Sequence, residues 1–431
     1  MSAKGLAARL AATQLLFGVL FQKKSTAEIL AAPQNPLTKL SPQDRARAQS
    51  LTLGTLRYLG PIDEILADFL DKPPPPKVQN TLRLATYEML HDLSPAHGVV
   101  NAAVEIVRGS AKAGKLAGMA NAVLRRLAEV PPERLRDAPA QKLPSWLAKP
   151  IAKTWGAEAV DAIADAHLAG AAIDLTLNAD TLADVLAEDL DAVRLPGGSF
   201  RLKGRPQISA LPGFDEGAWW VQDAAAALPV RVLGDIAGKT VLDICAAPGG
   251  KTLQLAAAGA KVTALDISEK RLERLAENLR RTELKAQTVT ADFLNWNSNQ
   301  HYDVQLLDAP CSATGTIRRH PDLPFAKDGQ DLSSLFSLQE AMLDKAISRM
   351  QAGQRLVYCT CSLLPKEGEM QIEAALARHD DLKVLPIDPG MFGLPPEAAA
   401  PHGALRTRPD FWADIGGMDG FYIAILSKGI A

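Results

Sequence analysis

Cysteine is scarce in this chain. There are four in 431 residues, Cys245, Cys311, Cys359 and Cys361, all in the C-terminal half. None belongs to a C-x-x-C pair, so neither a disulfide framework nor a zinc ligand set is expected. Free thiols in a reducing, cytoplasmic compartment are expected instead. Long apolar runs are missing too. Nothing approaches the roughly 20 uninterrupted apolar residues of a membrane helix, and Arg9 breaks the early apolar residues into an amphipathic pattern unlike a signal peptide. No membrane partner is expected. An excess of either charge is also lacking: the formal net charge is −2, unlike that of a nonspecific nucleic-acid coat. No repeat of solenoid type occurs.

The length exceeds the roughly 250–300 residues at which single cores stop growing, so two or three domains are expected. A composition of 47% hydrophobic and 22% charged residues is that of an ordinary globular protein. The charge is unevenly spread. Residues 1–130 hold 16 Lys+Arg against 10 Asp+Glu, a balance of +6, which leaves −8 for the remainder. A basic first domain hints at an anionic partner.

The first 130 residues read as helices throughout. Leu6, Leu10, Phe17 and Phe21 share one face, as do Leu82, Ala85, Met89 and Leu93, and again Val100, Val104 and Val107. The run Pro73 to Pro76 is one that no helix crosses. The reading is an all-α domain over 1–132, a proline-marked linker over 133–145 and a small α+β subdomain over 146–225. An α/β domain follows over 226–431. There, strands at 240–245, 261–266, 287–291, 304–308 and 355–361 alternate with helices at 251–258, 269–281, 332–350 and 366–378. A late strand at 420–427 closes most of a doubly wound sheet.

Val241 to Thr252 forms the first βα turn of that sheet, where small residues let backbone N–H groups approach a ligand beyond the strand ends. It lacks both the G-x-G-x-x-G of dinucleotide binders and the G-x-x-x-x-G-K of phosphate loops, so a nucleoside without a pyrophosphate suits it better. Asp266 ends the second strand, where a carboxylate can accept both ribose hydroxyls, and Asp292 follows the third, where it could meet an adenine edge. Each alone is also what a glycine turn or helix cap offers, with Ser268 as the N-cap after Asp266. Three such strand ends in successive units point to a nucleoside cofactor.

The fourth strand ends in Asp308-Ala309-Pro310-Cys311-Ser312 and the fifth in Cys359-Thr360-Cys361-Ser362. Adjacent strand ends open into one crevice, so Cys311 and Cys361 could sit close together there. A thiolate at such a place is a nucleophile if its pKa is lowered. Most free cysteines are instead small buried hydrophobes, the class to which Cys245 and Cys359 are assigned here. Arg318, Arg319 and His320 suit phosphate contacts or, equally, a solvated basic turn.

Cys245-Ala246-Ala247-Pro248-Gly249-Gly250-Lys251-Thr252, Asp308-Ala309-Pro310-Cys311-Ser312 and Thr360-Cys361-Ser362 resemble, in order, the signature motifs of the NOP/Sun family. These are S-adenosylmethionine-dependent RNA cytosine-C5 methyltransferases of class I (Rossmann-like) fold. The N-terminal region resembles the NusB RNA-binding domain, through Leu82 to Glu88, Pro95 to Glu105 and Ala120 to Arg126. A NusB-like domain fused to such a catalytic domain is similar to the arrangement of bacterial 16S ribosomal RNA methyltransferases.

The resemblance implies that Cys245, Ala246, Ala247, Pro248, Gly249, Gly250, Lys251, Asp266, Asp292 and Asp308 line the S-adenosylmethionine site. It also implies that Cys361 is the nucleophile, that Cys311 is the second cysteine assisting product release, and that 146–212 form an RNA-recognition subdomain. The departures are at Leu175-Thr176-Leu177-Asn178, where the family often has Leu-Arg-Val-Asn, and at Arg406 to Gly417, which is less typical of the family. The expected reaction is attack of the Cys361 thiolate on C6 of cytosine, making C5 nucleophilic, with Asp308 on the N3/N4 edge of the base. The expected partner is 16S ribosomal RNA, naked or in an early assembly state, met by a monomer. Two rivals are an RNA-binding assembly factor that has lost catalysis and a DNA cytosine methyltransferase with Cys311 as nucleophile. The intact motifs oppose the first, and Thr360-Cys361-Ser362 with the NusB-like region opposes the second.

Overall fold

The computed structural model describes residues 5–179, 188–204 and 206–429, which fall into two units. The first comprises Met1–Ala169 and Ile317–Gln330, the second Gly170–Thr316 and Asp331–Ala431. Among the described residues no helix is long and apolar enough to cross a membrane.

The first unit is helical. Its centre is the helix Pro76–Leu90, which starts on a proline at its first turn and buries twelve of its fifteen residues. A helix covered on all sides must satisfy its polar groups internally. Glu88, fully buried, takes the Arg9 Nε at 2.7 Å and the Arg47 Nη2 at 2.9 Å, and Arg83 pairs with Asp63 at 2.6 Å. The helices Leu6–Gln22, Pro42–Arg57, Ala96–Arg108 and Ala117–Leu127 surround it.

The expected face of the first helix is corrected. Leu10, Phe17 and Phe21 are exposed, while Ala8, Ala11, Ala12, Leu15, Leu16 and Val19 are buried. Both sides of this helix carry apolar residues at helical spacing, so periodicity alone does not choose between them. The alanine-lined side permits the closer approach of neighbouring helices.

Two further segments join the helical unit against expectation. The helices Ser145–Trp155 and Ala157–Ala169, read as part of the 146–225 subdomain, bury Leu147, Ile151 and Ile163 there. The Gln141 side chain accepts from the Gly60 N–H at 3.1 Å and donates to the Leu56 carbonyl at 3.2 Å. Ile317–Gln330 also belongs here, although in sequence it lies between a strand and a helix of the second unit. The Thr26 N–H and hydroxyl donate to Asp322 at 2.7 and 2.9 Å, and Phe325 packs on the helical core.

The second unit holds two sheets. In the smaller, β1 (Asp174–Leu177), β2 (Ala192–Arg194), β3 (Phe200–Leu202) and β4 (Trp219–Val221) pair antiparallel in the order β2-β3-β1-β4. It is fastened by the buried pair of Arg201 and Asp174 at 2.7 Å, with Arg201 also donating to the Ile415 and Gly417 carbonyls.

In the larger sheet, β5 (Thr240–Ile244), β6 (Lys261–Asp266), β7 (Ala286–Thr290), β8 (Val304–Asp308) and β9 (Arg355–Thr360) run parallel in the order β7-β6-β5-β8-β9. β10 (Leu382–Leu385) and β11 (Leu405–Arg406) both pair with β12 (Tyr422–Lys428), which lies antiparallel to β9. Alternate residues feed two cores. Val241, Val304 and Val357 face one side, and Leu242, Leu307 and Leu356 face the other. Strand order reverses at β5, between β6 and β8, and such reversal points open a crevice at the carboxyl ends of the strands.

Candidate active site

The crevice beyond β5, β6 and β8 holds a cavity of about 290 Å³. At its floor Cys245 turns the chain out of β5 with a φ of 64°, and Gly249, at φ 111°, begins the approach to the helix Gly250–Ala257. A Cβ on Gly249 would meet Leu275 Cδ1 at 2.3 Å, so the loop lies flat there only because the residue is glycine.

Beneath the loop, Asp243 is fully buried and accepts from the Thr252 hydroxyl at 2.5 Å. Burial, with Asp308 adding to it, pushes its carboxyl up to about 7 against the Thr252 hydrogen bond.

Of the expected cofactor residues, Cys245, Ala247, Asp266, Asp292 and Asp308 line the cavity. Ala246 and Gly249 are buried in the loop and Pro248 is exposed. Asp266 accepts from the Ala247 N–H at 3.1 Å and the Ser268 N–H at 2.9 Å, so it both braces the glycine loop and leads into the next helix. Ser268 is that helix's cap, accepting from the Arg271 N–H. Asp266 thus lies at the cavity wall and just ahead of the Ser268 cap. Asp292 accepts from the Leu294 N–H at 3.0 Å and from Asn295 Nδ2 at 2.5 Å.

Lys251 does not line the cavity. Its ammonium reaches the Asp308 carboxylate at 2.8 Å and lies 5.1 Å above the Phe421 ring. Burial works against its charge, but Asp308 holds it above the usual lysine range.

The two cysteine loops meet here. The sulfurs of Cys311 and Cys361 are 3.4 Å apart, both at the cavity wall with Asp308. The Gly315 N–H donates to the Cys361 carbonyl at 2.9 Å, which ties one loop to the other. Its hydrogen bond to Cys361, then burial, raises the Cys311 thiol well above its ordinary value. Cys359 is wholly buried and its sulfur donates to Asp308 at 3.5 Å; burial and then Asp308 raise it. Cys245 is raised too, by burial and then by Asp308.

Three features escaped the sequence reading. Arg271 lines the cavity, donates to the Ala247 carbonyl and sits 3.7 Å from Asp266. Its only sequence signal is its place in the first turn after a strand-end aspartate. The Lys251–Asp308 pair joins residues 57 apart, which no local pattern reveals. The third is a buried carboxylate, Glu367, taken up below. Arg318, expected as a phosphate contact, is 1% exposed and cannot serve as one on this surface, whereas Arg319 and His320 are exposed.

The residues present suit a nucleoside-bearing cofactor: a largely apolar cavity with carboxylates at three strand ends, over a loop whose glycine permits close approach. Comparison with known proteins agrees. Residues 230–427 match the model of the family described as 16S rRNA methyltransferase RsmB/F, and residues 6–129 match the NusB family. A ribosomal RNA small subunit methyltransferase B of Vibrio cholerae is 35% identical over 97% of each chain. The protein of the same name from Citrobacter koseri is 34% identical over 89% of this chain and 94% of its own. Among solved structures, a methyltransferase homolog protein from Pyrococcus horikoshii is 29% identical with a TM-score of 0.55, over 65% of this chain and 93% of its own. The cofactor of these methyltransferases is S-adenosylmethionine. The chain belongs to the RsmB/F family of 16S ribosomal RNA methyltransferases and carries a NusB-family region ahead of its methyltransferase domain.

Proposed function

We propose that this protein methylates C5 of a cytosine in 16S ribosomal RNA through a covalent bond from Cys361 to C6. The observation that carries the reading is the meeting of Cys311, Cys361 and Asp308 at the wall of one cavity, with the two sulfurs 3.4 Å apart. Bound S-adenosylmethionine supplies an electrophilic methyl group. Cytosine C5 is too weak a nucleophile to take it unaided, so the protein must first make it electron-rich.

The Cys361 sulfur, as thiolate, adds to C6; the C5–C6 π electrons move onto C5, which forms the new bond to the methyl carbon as that carbon's bond to the sulfonium sulfur breaks, leaving S-adenosylhomocysteine. Asp308, held by Lys251, faces the N3/N4 edge and accepts from the N4 amino group, which holds the base in place for attack. Removal of the C5 proton falls to a water that the Cys311 thiol orients. The freed electron pair restores the C5–C6 double bond and expels the Cys361 thiolate. Asp266 and Asp292, with the Cys245 to Gly249 loop, hold the cofactor. The target base must leave its stack to enter, at a cost of a few kcal/mol that is least in a loop, so an unstacked cytosine is the expected substrate. The NusB-family region, with its charge balance of +6 over residues 1–130, adds a salt-dependent contact to the RNA backbone.

Replacing Cys361 by Ala and, separately, Cys311 by Ala tests the division of labour, with 16S RNA and labelled cofactor. Cys361→Ala should abolish 5-methylcytosine formation; methylation at C5 by that variant refutes the assignment. Cys311→Ala should accumulate a protein–RNA adduct, and its absence refutes the release role.

A further inference from the structure

Beneath the two cysteine loops lies a polar cluster that the steps above do not use. Glu367, wholly buried, ends the short turn Pro365–Glu367 that follows β9. Its Oε1 accepts from the Ser312 backbone N–H at 2.8 Å and from Gln339 Nε2 at 2.9 Å. Its Oε2 accepts from the hydroxyls of both Ser312 and Ser362. Gln339 Nε2 also donates to the Pro310 carbonyl at 2.8 Å. The Thr314 hydroxyl lies 3.2 Å from each of the two serine hydroxyls and accepts from the Leu363 N–H at 2.9 Å. Even the Glu367 carbonyl is used, taking the hydroxyls of Tyr358 and Thr360.

The chemistry of the cluster is specific to a carboxylate. A buried charge is tolerated only where donors surround it, and here the four donors to the carboxylate are all neutral. A carboxylate presents two oxygens that accept and nothing that donates, whereas an amide in its place would turn N–H groups toward groups that also donate. Location matters as much. Ser312 follows Cys311 and Ser362 follows Cys361, so one side chain grips the neighbour of each thiol, on loops fifty residues apart in sequence. Charge-assisted hydrogen bonds of this kind are shorter and stronger than neutral ones. The same negative charge adds to the Cys361 hydrogen bond and to burial in keeping Cys311 protonated.

We propose that Glu367 is the positioning residue of the cysteine pair, fixing Ser312 and Ser362 so that the Cys311 and Cys361 sulfurs meet at the cavity wall. The proposal rests on the reading of Cys361 as nucleophile for its effect on rate, while its claim about geometry is read separately.

The test uses the full-length protein and Glu367→Gln, a replacement of nearly the same shape. Diamide, which takes up the two thiol hydrogens and becomes a hydrazine, joins neighbouring cysteines as a disulfide. Peptide mapping then measures the rate of Cys311–Cys361 cross-linking. The wild type should cross-link readily, and Glu367→Gln should do so about ten times more slowly. Its single-turnover methylation should fall about 100-fold, the scale of a misplacement of about 1 Å. Its affinity for S-adenosylmethionine should stay near that of the wild type, while its melting temperature falls because donor meets donor in the buried cluster. Glu367→Asp, which keeps the charge on a shorter arm, should lie between the two.

A purely structural role would instead lower cofactor affinity along with melting temperature, leaving cross-linking in the folded fraction unchanged; that result overturns the proposal. So does a Glu367→Gln protein that cross-links and methylates at wild-type rates. Should Glu367→Gln not fold, Ser362→Ala removes one donor and leaves the carboxylate three, and the same losses are expected at smaller size. If the wild type makes no 5-methylcytosine yet cross-linking still depends on Glu367, the reading of the activity fails and the positioning role stands.

Discussion

His167 is a buried titratable group in the helical unit, and its cost at low pH can be worked from the structure. It lies in the last turn of the helix Ala157–Ala169, is 7% exposed, and among the described residues neither ring nitrogen has a hydrogen-bond partner. Its backbone carbonyl accepts from Arg57 at 2.6 Å, and the guanidinium groups of Arg57 and Arg318 face it. Burial first, then Arg318 and Arg57, depresses the imidazole to about 3 from an ordinary 6.5. The folded state therefore binds this proton less readily than the unfolded chain, and stability falls as pH drops from about 6.5 toward 3. At pH 5 the loss relative to pH 7 is about 2 kcal/mol, since each unit of pKa difference carries about 1.4 kcal/mol. For a unit of this size that lowers the melting temperature by roughly 4–8 °C. His167→Met keeps an apolar filling of similar size and removes the titration. Scanning calorimetry of both full-length proteins at pH 7 and pH 5 should show the wild type losing that much more than the variant in the transition of its helical unit. Parallel pH profiles for the two would refute the assignment of a neutral, unpartnered imidazole.

Other perturbations test the catalytic unit. Asp243 behaves with the opposite sign: its folded pKa of about 7 lies above the unfolded 3.8, so stability is greatest below pH 3.8 and is lost as pH rises toward 7. Asp243→Asn should remove this loss, roughly 4 kcal/mol by pH 8, seen as a flatter pH profile in urea denaturation. Gly249→Ala must strain a φ of 111° and push on Leu275, and should cost about 1–3 kcal/mol. It should also weaken S-adenosylmethionine binding in titration calorimetry. Lys251→Met leaves Asp308 without its cation; because the Asp308 side chain is 31% exposed, the loss should fall at or below the low end of the roughly 3–5 kcal/mol of a broken buried pair, measured by denaturant unfolding.

The parallel sheet was legible because each strand end carries its own punctuation. Val241 to Thr252, Asp266 and Asp308 announce themselves through small residues and lone acids between apolar runs, and each marks the carboxyl end of a parallel strand. What local patterns could not convey was choice between equivalent faces and contact across distance. The first helix offers an apolar stripe on either side, and only packing selects the alanine side. The segment Ile317–Gln330 reads as a loop after the Cys311 motif, yet Asp322 in it answers to Thr26, 296 residues away. β10, at the antiparallel edge, is too short and too mixed in pattern to stand out. Glu367 was invisible for a different reason: nothing in Leu364-Pro365-Lys366-Glu367-Gly368 separates a carboxylate that faces water from one that faces four donors.

Electrostatics bears on how four free cysteines in one domain come to have different fates. Three aspartates, Asp243, Asp266 and Asp308, gather around the glycine loop, and negative charge nearby disfavours a thiolate. Cys245 and Cys359 feel burial and then Asp308, and both are held protonated. Cys311 is held protonated by its bond to Cys361 and by burial, with Glu367 adding to both. The Lys251 ammonium is a counterweight to that charge: Asp308 holds it charged against the cost of its burial. Such an arrangement suits a reaction that needs one thiolate beside thiols that must not compete with it. Lys251 thus secures Asp308, the carboxylate proposed to recognise the base, and its own buried charge is secured in turn by that carboxylate.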